Sequence, residues 1–225
     1  MDYEQKLGNT KYINFLPYVG PKYAQSAPKI FILGHSHYAD CDGSPEQMAE
    51  WDNDLGRTRE VIKDDYLATV AEGKIHRWIR CYRYMAAVLT GNDYHKSDYF
   101  WDSLAYSNFF QKHVGTSPHD RRFITNELIE DSRNAFFENL EILRPDYVIA
   151  WGTTLFNYEM PRDFIRLPDE NSSAATPRIG YYKNFSDTII WWMTHPSAPS
   201  FSYRVERNTW KAVQEKSKQY RLNRV

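Results

Sequence analysis

The chain has 225 residues, 42% of them hydrophobic and 16% aromatic, and its 28 basic and 29 acidic side chains leave a formal charge of −1. This composition excludes a disordered chain, and the length suits one domain around one core. No apolar stretch approaches the about 18 residues that cross a bilayer, so no membrane partner is expected. The opening "MDYEQKLGNT" is charged and polar, which argues against a signal peptide. The two cysteines, Cys41 and Cys81, form no CxxC pair and fit a reducing, cytoplasmic compartment.

In chain order, residues 1–28 read as an N-terminal extension packed on the domain. "KIFILGHS" (29–36) is the first apolar run and is expected to be a buried strand. "TREVIKDDYLATVAEG" and "IHRWIRCYRYMAAVLTG" carry helical patterns that end on Gly73 and Gly91, where a stop is expected. In the second of these, Arg77, Arg80 and Arg83 fall near one helical stripe, expected to be surface over an aromatic core face. "SLAYSNFF" (103–110) is the second strand. "SPHDRR" (117–122) follows it and is expected at the entrance to any pocket there. "DSRNAFFENLEILRP" is a helix opened by capping residues and closed by Pro145. "DYVIAWG" (146–152) and "TIIWWMTH" (188–195) are further strands, and "RVERNTWKAVQEKSKQY" is a final helix.

Strands alternating with helices predict an α/β domain, and continuous apolar runs predict strands covered on both faces in a mainly parallel sheet. Such sheets place their sites in loops beyond the carboxyl ends of the strands. That rule selects "GHSHYAD", "NFFQKHVG", "WGTT" and "THPSAPSFSY". Charge is uneven along the chain. Asp40 to Asp65 holds nine acidic and three basic residues, and Tyr203 to Val225 seven basic and two acidic. The basic tail can follow a phosphate backbone or present a solvated helix face.

The loop "GHSHYAD" admits three readings. His35 and His37, spaced HxH, could share a cation with Asp40, Asp42 or Cys41, which would make a metal-dependent hydrolase. Alternatively the histidines are hydrogen-bonded turn residues without chemistry. The third reading takes the strand-exit loops together. "ILGHSHYA", "YSNFF" and "THPSAPS" resemble, in type and order, the GQDPYH motif, strand-end Asn and HPSPLS motif of the uracil-DNA glycosylase superfamily. Gly34, Tyr38, Asn108, His195, Pro196 and Ser197 carry the resemblance, which runs from about Lys29 to about Tyr203. It implies an α/β/α sandwich of three layers with a four-stranded parallel sheet, DNA as partner, and no metal or other cofactor.

The resemblance also assigns roles. Such an enzyme takes a base out of the stack into a pocket. Asn108, with one donor and one acceptor, would read the Watson–Crick edge of uracil. His195 would donate to the oxygen on which charge develops as the base leaves. Tyr38 would crowd the C5 position of the base. Pro196 and Ser197 would shape a loop that grips phosphate, and Phe201 is a candidate wedge for the vacated stack. One position departs from the family: its water-activating Asp stands here as Ser36, with His35 and His37 as candidate replacements. The expected function is therefore a monomeric DNA glycosylase-like protein that hydrolyses the N-glycosidic bond of a flipped uracil or deaminated base. The alternative is a non-catalytic nucleobase- or nucleic-acid-binding protein on the same scaffold.

Overall fold

A computed structural model describes residues 2–73, 79–91, 98–117, 120–152, 154–167 and 178–224. Its centre is a mixed sheet of seven strands: β1 (Tyr18–Val19), β2 (Ile30–Gly34), β3 (Leu104–Asn108), β4 (Tyr147–Trp151), β5 (Phe164–Arg166), β6 (Arg178–Tyr182) and β7 (Ile189–Met193). The strand order is β1-β3-β2-β4-β7-β6-β5. The four apolar runs picked from sequence are the parallel centre, β3-β2-β4-β7. The expectation of a four-stranded sheet is corrected by β1, β6 and β5, which add antiparallel edges. Of these, β1 spans two residues and β5 three, too few for a periodic signal to show in sequence.

Every residue of the four central strands is buried, which is why they are apolar throughout rather than alternating. Their side chains still divide between two cores by parity. Ile30, Ile32, Tyr106, Ile149 and Trp191 meet α5 (Arg80–Thr90) and α7 (Tyr203–Leu222) on one face. Phe31, Leu33, Ala105, Val148, Ile190 and Trp192 meet α1 (Tyr3–Gly8) and α6 (Asn126–Leu143) on the other. Between β2 and α5 lie α2 (Pro45–Asp52), α3 (Arg57–Glu60), a π-helical stretch (Val61–Leu67) and α4 (Ala68–Ala71).

The helix stops follow the sequence signals. Gly73 and Gly91 have φ of +71° and +72°, the left-handed region that glycine enters without a Cβ clash. Helix α6 begins before the expected Asp131 because Thr125 caps it, its hydroxyl accepting from the Leu128 N–H at 3.1 Å. It ends at Arg144, with φ of +47°, ahead of Pro145. Lys74, Arg77 and Trp78 lie outside the described residues; of the arginine stripe, Arg80 is exposed but Arg83 is buried, so it is no surface stripe.

The N-terminal segment is an integral part of the fold. Tyr3 and Leu7 join the α6 core, Glu138 accepts from the N–H groups of Lys11 and Tyr12, and β1 extends the sheet. The basic tail is also tied down. Arg207, Arg221 and Arg224 donate to the main-chain carbonyls of Ala87, Asp146 and Ser186 respectively. Helix α7 is anchored by Trp210, which stacks on Trp191 at 5.7 Å and meets the Tyr147 ring edge-on at 5.0 Å. Trp210→Ala should cost about 3–5 kcal/mol by opening a cavity there; a urea denaturation midpoint within error of the parent would contradict this packing account.

Candidate functional site

All four strand-exit loops converge on one cavity of 630 Å³ at the carboxyl ends of β2, β3, β4 and β7. The segment from Gly34 to Tyr38 forms one wall, Asn108 the end of β3, Trp151, Gly152, Thr154 and Leu155 the exit of β4, and His195 with Ser197 the exit of β7. Tyr82, Tyr106 and Trp151 supply broad aromatic surface, and Arg57 and Arg121 supply positive charge. This volume and mixture are those of a small-ligand site. The first loop is held in place by its neighbour: the N–H groups of Phe109, Phe110 and Ala39 donate to the carbonyls of Gly34, His35 and Gly115.

Gly34 pairs in register with Asn108 across β2 and β3. A Cβ at Gly34 would lie 2.2 Å from the Asn108 Oδ1 and 2.6 Å from the Tyr106 hydroxyl, so only glycine lets both side chains lie over the end of β2. The Tyr106 hydroxyl donates to Oδ1 at 2.9 Å. Burial raises the Tyr106 phenol well above its ordinary range, so it keeps its proton. Oδ1 therefore faces Tyr106 while Nδ2, with no hydrogen-bond partner among the described residues, is free to donate into the cavity.

His195 is half-buried, with its ring edge-on to Trp151 at 5.7 Å. Gly152, at φ +94°, lies beside it: a Cβ there would stand 3.7 Å from the His195 Cβ. The Ser197 N–H reaches Nδ1 at 3.1 Å and the Ser197 hydroxyl reaches it at 2.7 Å. A backbone N–H can only donate, so Nδ1 accepts and the neutral ring carries its proton on Nε2. Burial, with the nearby His35, brings the His195 pKa down to about 4. At neutral pH His195 is thus an uncharged Nε2–H donor. Ser197, expected to grip phosphate, instead directs its N–H and hydroxyl at His195.

His35 and His37 point to different partners, which separates them as prospective ligands. His35 Nδ1 lies 2.8 Å from the Ser36 Oγ, and its Nε2 lies 2.9 Å from the Glu159 Oε2, at hydrogen-bond distance but off the hydrogen-bond line. Glu159 is 1% exposed, and Arg121 forms an ion pair with its other oxygen. His37 is buried: its Nε2 meets the Thr58 hydroxyl at 2.8 Å, and its ring packs edge-on against Phe15. His113, bonded to Asp52, lies beside it. Asp40 is exposed, and the Asp42 carboxylate accepts from the Ser44 N–H; neither lines the cavity. Among the described residues no group of three His, Cys, Asp or Glu could hold a metal ion.

Tyr38 and Ser36 are half-buried in the cavity wall. Pro196 is buried behind it, and Phe201 packs against Tyr84 with ring centroids 5.7 Å apart, away from the lining. Sequence reading missed Tyr106, Trp151 and Glu159. The first had a signal, since residues i and i+2 of a strand share a face and Tyr106 stands two before Asn108. Glu159 had only its place as a lone acid in the apolar "TTLFNYEMP". No protein-family model matches the chain, and no curated protein matches it significantly.

Two measurements check this geometry. Gly34→Ala should destabilise by about 1–3 kcal/mol through overpacking against Asn108, and should displace its amide; unaltered stability would contradict the close approach. His37, held down to about 3 by burial and by the neighbouring His113 and Arg57, takes up its proton more readily unfolded, near pH 6.5. Its contribution to stability is thus complete above about pH 6.5 and is lost as pH falls toward 3, with a slope of up to about 1.4 kcal/mol per pH unit. Urea unfolding between pH 7.5 and 4.5 should show that slope reduced in His37→Gln, and an identical profile for the two proteins would refute it.

Proposed function

We propose that this cavity accepts a single base turned out of nucleic acid, and that the protein is a uracil-DNA glycosylase-like hydrolase of N-glycosidic bonds. The observation that carries the reading is the pairing of two neutral polar groups in one aromatic-walled cavity. The Asn108 amide stands at the end of β3 and the His195 Nε2–H at the exit of β7. An amide whose nitrogen donates and whose oxygen keeps a second lone pair can face the O4 and N3–H of uracil together. A neutral imidazole N–H gains strength as the departing base becomes an anion, and such a donor is typically worth about 3–4 kcal/mol in the transition state. A charged imidazolium is not required, which suits a group whose pKa burial has lowered.

The parallel centre β3-β2-β4-β7, with helices over both faces, supports the sandwich expected from the resemblance; on this reading β1, β5 and β6 are additions at its edges. Tyr38 in the wall suits a barrier to a C5 methyl group, and Tyr82, Tyr106 and Trp151 offer faces against which a planar base can lie. Arg57 and Arg121 at the cavity, rather than the tied-down tail, supply the charge nearest to where phosphates would pass. One observation favours the second reading, a binder without chemistry: the family's catalytic Asp position is a serine.

Incubation with single- and double-stranded oligonucleotides containing uracil, hypoxanthine or xanthine, followed by alkaline cleavage at abasic sites, separates the two. His195→Ala should lower the single-turnover rate by about 10²–10³-fold, and Asn108→Ala should weaken discrimination among bases as well as the rate. Retained affinity without abasic product would identify the binder, and neither affinity nor product would reject both.

A further inference from the structure

We propose that Glu159, His35 and Ser36 form a proton relay that draws a proton from the Ser36 hydroxyl and, through it, from a water in the cavity. The inference rests on the hydrolase reading for its substrate, but its geometry stands independently. His35 Nε2 is 2.9 Å from the Glu159 carboxylate and Nδ1 is 2.8 Å from the Ser36 Oγ. A carboxylate oxygen can only accept, so the proton of the neutral ring belongs on Nε2 and Nδ1 is left to accept the Ser36 O–H. The base, its orienting acid and the hydroxyl thus stand in the order that activates a hydroxyl in nucleophilic enzymes. The imperfect alignment at Glu159 is of the kind that tightens when a substrate is bound.

The surroundings suit the role. Glu159, from the stretch Leu155–Glu159 beyond β4, is buried, and the Arg121 guanidinium holds its Oε1, leaving Oε2 as the oxygen 2.9 Å from His35 Nε2. The Arg133 guanidinium also takes the Glu159 carbonyl at 2.7 Å, fixing the backbone behind it. Among the described residues, the charged or titratable groups facing His35 are Glu159, Arg121 behind it, and His195 across the cavity; from beyond β3 comes the Phe110 ring, edge-on at 5.2 Å. Ser36 lines the cavity, whereas Glu159 does not.

In the step itself, the water oxygen forms a bond to the sugar C1′ while the bond from C1′ to the base nitrogen breaks and its electron pair leaves with the base. The water gives a proton to the Ser36 Oγ as the Ser36 proton passes to His35 Nδ1. The imidazolium is balanced by Glu159, and the base anion is held by the His195 N–H until it is protonated from solvent or by His35. The departure of Ser36 from the family's aspartate is then made good by a carboxylate brought from beyond β4, working through an imidazole.

Two arms test the relay. The first needs no substrate: nitrogen NMR of the full-length protein labelled at histidine should find His35 protonated on Nε2 and bare on Nδ1 at neutral pH, with that preference lost in Glu159→Gln. A ring protonated on Nδ1 in the parent overturns the relay whatever the protein's activity. The second is single-turnover release of uracil. His35→Ala should be slower by about 10²–10⁴-fold, with the loss falling on the single-turnover rate rather than on affinity for an oligonucleotide with non-hydrolysable 2′-fluorodeoxyuridine. Ser36→Asp placed in the His35→Ala background should recover rate. Excision that is unchanged in His35→Ala and Glu159→Gln overturns the proposal. Absence of excision by the parent, with the expected tautomer, rejects the hydrolase reading and leaves the relay supported.

Discussion

The cavity depends on one strand being paired in parallel on both sides. Ile30–Gly34 bonds to β3 on one edge and β4 on the other, in registers that bring Gly34 beside Asn108 and Leu33 beside Ala150. Because all three strands run the same way, their exits open at the same end of the sheet, and the exit of β7 joins them through its pairing with β4. Burial of these strands on both faces holds that registry: a slip of one residue would carry each side chain into the opposite core. Gly34 sits at the limit of this packing, where the absence of a Cβ is what allows the Asn108 amide to lie over it.

Hydrogen bonds then assign each polar group in the cavity its role by elimination. The Tyr106 hydroxyl, kept protonated by burial, donates to the Asn108 oxygen, which retains one lone pair, and the Asn108 nitrogen is left to donate into the cavity. The Ser197 N–H occupies the His195 Nδ1, so the proton lies on Nε2. Glu159 Oε2 stands 2.9 Å from His35 Nε2, off the hydrogen-bond line, and Nδ1 lies 2.8 Å from the Ser36 Oγ. At His195 a group that can only donate thus determines the sense of an ambiguous one. Such preorganisation is what an active site needs, because the donors are oriented before charge develops.

Charge is handled by a similar economy. The buried Glu159 is paired with Arg121, as a buried carboxylate must be to avoid a desolvation cost of several kcal/mol. His37, with no acid against it among the described residues, is instead held neutral by its burial and by the nearby His113 and Arg57. Two histidines separated by one residue are thereby placed in unlike settings: one toward an acid at the cavity, the other in an apolar pocket beneath the loop. This separation removes the basis for a shared cation: His35 and Ser36 face the cavity, and His37 anchors the loop.

The apolar runs of the chain determined the four central strands, the α/β class and the loops in which a site should be sought, because burial on both faces writes itself as continuous hydrophobicity. Glycine at 73 and 91 and Pro145 likewise marked helix ends through backbone geometry that is local to those residues. Asn108 and His195 were legible as strand-end polar residues. The short strands β1 and β5, the partners of His35 and His37, the inward face of Ser197 toward His195 and the entry of Glu159 were not. Each of these depends on contacts between segments distant in the chain: 124 positions separate His35 from Glu159, and no local pattern specifies which acid a folded chain brings to which base. Sequence determined where the loops leave the sheet, and only packing in three dimensions decided which side chains meet there.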